Sequence, residues 1–302
     1  MSSEKPPEKL TLSSYMPMIT MAGIILVVQV FALFLAAPMK AQDMVAFKDP
    51  TATANSLYYI VFILVFTFLM LMAIKRNMKW IIQLVILLAV ASTLYYVLYA
   101  LFSITSVSPI TNIAVSILLS TGMTVVLYKF PEWYVIDVLG LMISAGAAAI
   151  FGISLAVIPT IVLLVLLAVY DAISVYKTKH MIALAEGVME LKLPILFVIP
   201  KHTGYSFRKE KFDKEGEKEA FFMGLGDAVM PTILVVSAYM FIDQTGIMHY
   251  PAIGAMIGTL VGFFALGIFV MKGKPQAGLP FLNSGVILGY IAGCLLSGSP
   301  LF

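Results

Sequence analysis

Charged residues are scarce in this chain. Only 12% of its 302 residues are charged, whereas 61% are hydrophobic, and the mean hydropathy is +1.00. Soluble domains carry about 25% charged residues, so the composition excludes an ordinary soluble domain and predicts a multi-pass integral membrane protein. The net charge is only +3, and the basic residues fall in loops. We therefore predict the lipid bilayer as surroundings and no nucleic-acid partner.

Cysteine and histidine are equally scarce. The one cysteine, Cys294, excludes an intrachain disulfide framework and a multi-cysteine metal site, so we interpret it as a small packing residue. The three histidines, His180, His202 and His249, are scattered near loops without metal-ligand spacing. No metal and no organic cofactor are predicted.

Long apolar runs are what the chain has instead. The first is too long for a cleaved signal peptide and indicates a retained anchor. Residues 1–176 hold six predicted spans, residues 177–220 form one polar loop, and residues 221–302 hold three more spans. The predicted fold is all-α with nine transmembrane helices, each near the roughly 20 residues that a bilayer requires. The spans are Met16–Ala37, Ser56–Ala73, Trp80–Phe102, Pro109–Leu127, Trp133–Leu155, Ile158–Tyr176, Phe221–Ile242, Tyr250–Met271 and Leu279–Leu296.

Lysine and arginine set the expected orientation. With nine spans, 17 of the 19 basic residues fall on the side of the N-terminus, and only Lys40 and Lys48 fall on the other. The short loops alone place eight basic residues against two. Cytoplasmic loops are enriched in basic residues, so we predict a cytoplasmic N-terminus and an extracytoplasmic C-terminus.

A carboxylate lies inside the seventh predicted span. Asp227 follows Gly224 and Gly226, which allow another backbone to approach closely, and Pro231 comes four residues later. The proline ring crowds the carbonyl of Asp227 and supplies no N–H to bind it, so the helix bends and opens there. An ionisable group in a span is costly, by roughly 2.5–3.5 kcal/mol or more, and marks a functional site by default.

A second carboxylate lies in the sixth span. Asp171 precedes Lys177 by six residues, and Asp227 follows Glu219 by eight. These offsets place the acids roughly 9 and 12 Å below the same face, in consecutive antiparallel helices. Two carboxylates at one depth can face each other and share a proton, so that one acts as general base while the other acts as general acid.

Other polar positions in the spans have plainer interpretations. Asp137 and Asp243 lie near span ends, where water can reach a charged group, so we interpret them as structural residues. Gln29 is expected to form a helix–helix hydrogen bond. Asn283 is interpreted as a cap or packing residue, or as a ligand of exposed substrate backbone. Glycines recur every four residues in the last two spans and predict closely packed helices. They are Gly254, Gly258 and Gly262 in the eighth span and Gly285, Gly289 and Gly293 in the ninth.

The sequence motifs that contain the two acids resemble those of a known protein family. Tyr170-Asp171, followed one span later by Gly224-Leu225-Gly226-Asp227, resembles the YD and GxGD motifs of the presenilin and signal peptide peptidase family of intramembrane aspartyl proteases. That family opens its ninth span with Pro-Ala-Leu. This chain has Ala277-Gly278-Leu279 followed by Pro280, so it departs from the pattern before the leucine. The likeness covers span number, order and loop placement, and the orientation is most like a presenilin homologue of archaea or bacteria, in a prokaryotic plasma membrane.

The resemblance implies a function. Asp171 and Asp227 are expected to activate water against a peptide bond in a substrate's transmembrane helix. Substrate contacts are expected from Tyr170, Gly224, Leu225, Gly226, Leu279 and Pro280. Transmembrane-helix proteins are the implied partners, and homo-oligomerisation stays open. The alternative is an ion or proton pathway, as in a transporter or cation leak channel; a prepilin peptidase also uses GxGD but fits nine spans poorly.

The polar loop contains possible strands. The run from Pro194 to Pro200 is apolar, rich in strand formers and bounded by prolines. It predicts either an interfacial plug or an edge strand beside the acids, with Gly204–Phe212 as a second candidate strand. Lys177–Glu190 has helical spacing and is expected to extend the sixth span, and the charged run Lys209–Glu219 is interpreted as a solvated tether.

Overall fold

A computed structural model describes residues 12–76, 78–105, 107–178, 196–202, 204–208, 219–243, 248–270 and 276–301. Over these residues the chain forms nine α-helices and one two-stranded sheet. The helices are α1 (Leu12–Ala41), α2 (Ala54–Lys75), α3 (Lys79–Ser103), α4 (Pro109–Lys129), α5 (Trp133–Ser154), α6 (Val157–Ile173), α7 (Leu225–Phe241), α8 (Tyr250–Val270) and α9 (Gly278–Ser297). The strands are β1 (Leu196–Pro200) and β2 (Ala220–Gly224), and a π-helical turn, Ser174–Thr178, continues α6.

The predicted helical fold is confirmed. Eight of the helices in the described part of the chain are long and apolar enough to cross a membrane. The exception is α7, which is apolar but has only 17 residues. Its central residues are buried on every side, which explains why its sequence is apolar all round rather than along one stripe.

The predicted start of the seventh span is wrong, because the first residues of that span form a strand. We expected a helix from Phe221, but Ala220–Gly224 is extended and pairs antiparallel with β1, Phe222 opposite Val198. Two aromatic residues that favour strands are followed there by glycines that favour helices poorly. The helix therefore begins only at Leu225, two residues before the acid.

The polar loop is partly as predicted. Leu196–Pro200 is a strand, as one of the two alternatives for that run predicted. It pairs with Ala220–Gly224. Gly204 to Arg208 is not a strand, and Tyr205 and Phe207 are buried in a cluster with residues of α3 and α5. The run's first two residues, the expected helical extension beyond 178 and the charged run 209–218 lie outside the described residues.

Glycines bring α8 and α9 into backbone contact. A Cβ on Gly258 would lie 2.8 Å from the Cα of Gly289, and a Cβ on Gly289 would lie 2.7 Å from the Cα of Gly258. Real Cβ atoms do not approach so closely, so neither position tolerates a side chain without a shift of the helices. The predicted close packing is confirmed, and it fixes α9 against α8.

Candidate active site

Asp171 lies near the end of α6 and is only 8% exposed. Its Oδ2 accepts a hydrogen bond of 3.1 Å from the backbone N–H of Leu279, in the first turn of α9. The first N–H groups of a helix have no partner within the helix and carry partial positive charge. The α9 terminus is therefore well placed to bind an anionic carboxylate.

Asp227 lies in the first turn of α7, between two glycines that come from different segments. A Cβ on Gly224 would lie 3.3 Å from its Oδ2, and a Cβ on Gly278 would lie 3.2 Å from its Oδ1. Any larger residue at either position would crowd the carboxylate. Gly278, beside Asp227, is followed directly by Leu279, which binds Asp171, so the structure brings together the pair that the sequence predicted.

Consecutive residues of α9 contact the two acids. Gly278 adjoins Asp227, and Leu279 binds Asp171. The two carboxylates therefore lie against neighbouring positions at the start of α9. The Gly-Leu step departs from Pro-Ala-Leu, and in this structure it places a residue without a side chain against Asp227.

Tyr176 was missed by the sequence reasoning. It lies in the π-helical turn after Asp171, and its hydroxyl donates to Gln276 Oε1 at 2.8 Å and accepts from the Ala277 N–H at 3.3 Å. The turn thus ties the end of α6 to the start of α9. Only the unusual π geometry, which often marks functional sites, distinguishes this tyrosine from the others.

An apolar cavity of about 320 Å³ opens beside Asp227. Its walls come from α1, β2, α8 and the start of α9. Asp171 does not line it. The lining residues are Pro17, Met18, Met21, Phe221, Phe222, Met223, Gly224, Asp227, Phe263, Leu266, Gly267, Val270, Gln276, Gly278 and Leu282.

The two edges of the sheet differ. On the β1 edge, the Val198 N–H donates to Asp137 Oδ1 of α5 at 2.7 Å, so α5 covers that edge. Strand β2 continues directly into Asp227, and all its residues from Phe221 onward line the cavity. Asp137 therefore has a structural role, as its position near a span end suggested.

The remaining predicted positions divide into two groups. Two of them pack into the protein: Leu225 lies against Gly140 of α5, and Leu279 lies against a cluster formed by Leu155, Leu163 and Leu167. The other three are neighbours of the acids in sequence and are more accessible. Tyr170 and Pro280 are partly exposed, and Gly226 is exposed. Asn283 donates to the Leu164 carbonyl at 2.8 Å, which favours the packing interpretation. The helix–helix bond expected for Gln29 is wrong, because its amide has no partner within the described residues.

Two aspartates lie close together at one end of a bundle of membrane-length apolar helices, as expected for an intramembrane aspartyl protease. Comparison with known proteins agrees. Residues 22–299 match the family model described as signal-peptide peptidase, presenilin aspartyl protease. The chain therefore belongs to the signal-peptide peptidase and presenilin family of aspartyl proteases.

Solved structures extend the comparison. A presenilin family intramembrane aspartate protease crystallised in space group C222 is 40% identical, with a TM-score of 0.70, over 93% of this chain and 99% of that chain. A P2 form is 41% identical, also with a TM-score of 0.70, over 94% and 99%. No curated protein matches the chain.

Proposed function

We propose that Asp171 and Asp227 are the catalytic pair and that they hydrolyse a peptide bond within a substrate's transmembrane helix. One carboxylate removes a proton from water as the oxygen attacks the scissile carbonyl carbon, and the other carboxyl donates a proton to the carbonyl oxygen. The resulting diol collapses with proton transfer to the leaving nitrogen. The observation that carries this proposal is the contact of consecutive α9 residues with both acids.

A transmembrane helix hides its carbonyls in hydrogen bonds, so the substrate must unwind before water can attack. Unpaired backbone at membrane depth is stable only where protein or water replaces the lost bonds. The outer edge of β2 is suited to this role, because α5 covers the β1 edge and β2 leads to Asp227 within three residues. We infer that the unwound substrate adds to β2 as a third strand.

The cavity supports a role for side chains as well. It lies against both β2 and Asp227 and is lined mainly by apolar groups. A substrate strand on β2 would direct alternate side chains to one face. We infer that one side chain next to the scissile bond enters this cavity, which would favour a large apolar residue at that substrate position.

The test of the pair uses two conservative substitutions. Asp171→Asn and Asp227→Asn are each expected to lower cleavage of a transmembrane peptide by at least about 100-fold, because neither acid can replace the other. Asp243→Asn is the matched control, since Asp243 is exposed just beyond α7. Cleavage above a few per cent of wild type in a well-folded single variant would refute the assignment.

Strand addition is tested on the substrate. In a series of transmembrane peptides, one backbone amide at a time near the scissile bond is replaced by an ester, which removes a single N–H donor. If the substrate pairs with β2, cleavage rates should alternate with a period of two residues. Esters far from the scissile bond serve as controls. A uniform effect along the series would exclude pairing as a strand.

A further inference from the structure

The wall of the cavity beside Asp227 contains a second polar side chain. Among the described residues that form this wall, only Asp227 and Gln276 have polar side chains, and the others are apolar or glycine. Ligand pockets are typically apolar, with a few placed polar groups that fix the orientation of the ligand. Asp227 is assigned to the chemistry, so Gln276 is the polar group left to orient a ligand in the cavity.

Tyr176 fixes one end of the Gln276 amide. The Tyr176 hydroxyl accepts from the Ala277 N–H at 3.3 Å and donates to Gln276 Oε1 at 2.8 Å. The oxygen end of the amide is therefore held, because the hydroxyl gives its single proton to it. The Nε2 end has no hydrogen-bond partner within the described residues. A half-buried amide thus brings two unused N–H donors to the cavity wall.

Strand β2 and the residues before α9 border the cavity next to different oxygens of Asp227. A Cβ on Gly224, the last residue of β2, would lie 3.3 Å from Oδ2. A Cβ on Gly278 would lie 3.2 Å from Oδ1, and Gln276 precedes Gly278 by two residues. The cavity is therefore bordered by β2 on the Oδ2 side of the acid and by Gln276 on the Oδ1 side.

A substrate strand that pairs with β2 along one edge has a second edge. Alternate residues of an extended chain direct their N–H and C=O groups to opposite edges, so every second substrate residue faces away from β2. Such groups have no water to bind at membrane depth, and leaving one of them unpaired is costly. The far edge of the substrate therefore needs donors and acceptors of its own.

We propose that the side-chain amide of Gln276 donates a hydrogen bond to a main-chain carbonyl of the unwound substrate, one that faces away from β2. This inference rests on the proposed function, since it requires cleavage and strand addition to β2. The substrate would lie between β2 and Gln276 and be held on both edges next to Asp227. Because Gln276 binds main chain, its contribution does not depend on the substrate's side chains.

Two variants separate the amide nitrogen from the bond to Tyr176. Gln276→Glu retains an oxygen for the Tyr176 hydroxyl but has no N–H, whereas Gln276→Met has neither group and adds no charge. Each should lower kcat/KM for a transmembrane peptide about tenfold, measured at the pH maximum of each enzyme. A loss in Gln276→Glu alone would indicate an effect of charge, and a loss in Gln276→Met alone would indicate that only the Tyr176 bond matters. Either result would overturn the proposal.

Gln83→Met is the matched control. Gln83 is a half-buried glutamine of α3 that does not line the cavity, so its replacement should leave kcat/KM unchanged. The Tm of each variant reports whether it is folded. A loss of activity in Gln83→Met as large as that in Gln276→Met would show that the effect is not specific to the cavity, and it would overturn the proposal.

Replacements in the substrate distinguish contact from a structural role. In a series of peptides, one peptide bond at a time near the scissile bond is replaced by an (E)-alkene, which removes its C=O and N–H. At one bond the loss of kcat/KM should be about tenfold larger in the wild type than in either Gln276 variant, because the variants have already lost the contact. A merely structural role would give equal losses in all three enzymes at every bond, and that result would overturn the proposal.

The outcome for Gln276 can be told apart from the outcome for the proposed function. A wild type that cleaves no transmembrane peptide, or a fully active Asp171→Asn, would refute the catalytic pair. An active wild type whose losses match those of the Gln276 variants at every bond would refute the Gln276 contact and leave the pair untouched.

Discussion

At the scale of single residues, the two acids share their surroundings with the first turn of α9. Asp171 accepts the Leu279 N–H, whereas Asp227 lies between Gly224 and Gly278. The two carboxyls are thus held by different groups although they lie against consecutive residues of α9. Such a difference in environment is what allows one member of a pair to carry the proton while the other is ionised.

The proton shared by the pair predicts a bell-shaped pH profile. Below the first macroscopic pKa both carboxyls are protonated and no base is present, whereas above the second both are ionised and no acid is present. Cleavage in detergent, measured as kcat/KM against pH, should therefore fall on both sides of a maximum. A rate that rises steadily into alkali would contradict a two-carboxyl mechanism.

Tyr176→Phe is expected to slow cleavage about fivefold, because the hydroxyl that joins the π-helical turn to Gln276 and Ala277 is lost. The start of α9 would then hold the acids less firmly, so kcat should fall more than Tm. Tyr128→Phe is the control, since Tyr128 is 55% exposed on α4. Equal rates for Tyr176→Phe and the control would show that the Tyr176 hydroxyl does not help to position the acids.

At the scale of elements, Asp137 fixes β1 to α5. Asp137→Leu should destabilise the protein by about 1–3 kcal/mol and slow cleavage of a helical substrate, because the buried Val198 N–H loses its acceptor. Asp137→Asn keeps an acceptor oxygen and should retain most activity. Thermal unfolding and cleavage of the two variants, measured together, check this. Full activity in Asp137→Leu would show that β1 needs no such anchor.

The glycine contact of α8 with α9 gives a second prediction for an element. Gly258→Ala should lower the Tm and the rate together, because the added methyl forces the helices apart and moves the start of α9. Gly122→Ala on α4 is matched in chemistry but has nothing within 4 Å, so it should be neutral or slightly stabilising. Similar unfolding temperatures for the two variants would contradict the packing argument.

At the scale of the whole molecule, the orientation in the membrane stays a prediction from the basic residues. We expect the end that holds the acids to face the cytoplasm. In intact cells, Lys48→Cys should react with a membrane-impermeant maleimide, and Lys129→Cys should react only after lysis. The native Cys294 is buried and gives the background. The reverse labelling pattern would invert the assignment.

Much of the molecule followed from sequence because the bilayer constrains it. The number of helices and the glycine contacts depend on length, periodicity and residue size. Phe221–Gly224 was assigned wrongly because apolar residues are compatible with helix and strand alike, and only pairing with Leu196–Pro200, across the polar loop, decides between them. The contacts of Tyr176, and the lack of a partner for Gln29 among the described residues, depend on how distant helices pack, which no local pattern reports.

The shortness of α7 has a consequence for the fate of the products. Asp227 lies in the first turn of a helix whose remaining 14 residues, from Ala228 to Phe241, extend about 21 Å further across the apolar layer. A bond cut at that level divides a substrate's span unequally. One fragment keeps most of its apolar length and remains dissolved in lipid, while the other retains a stub too short to hold it and departs into water. The depth of the proposed catalytic pair would thereby decide which half of a membrane protein becomes soluble.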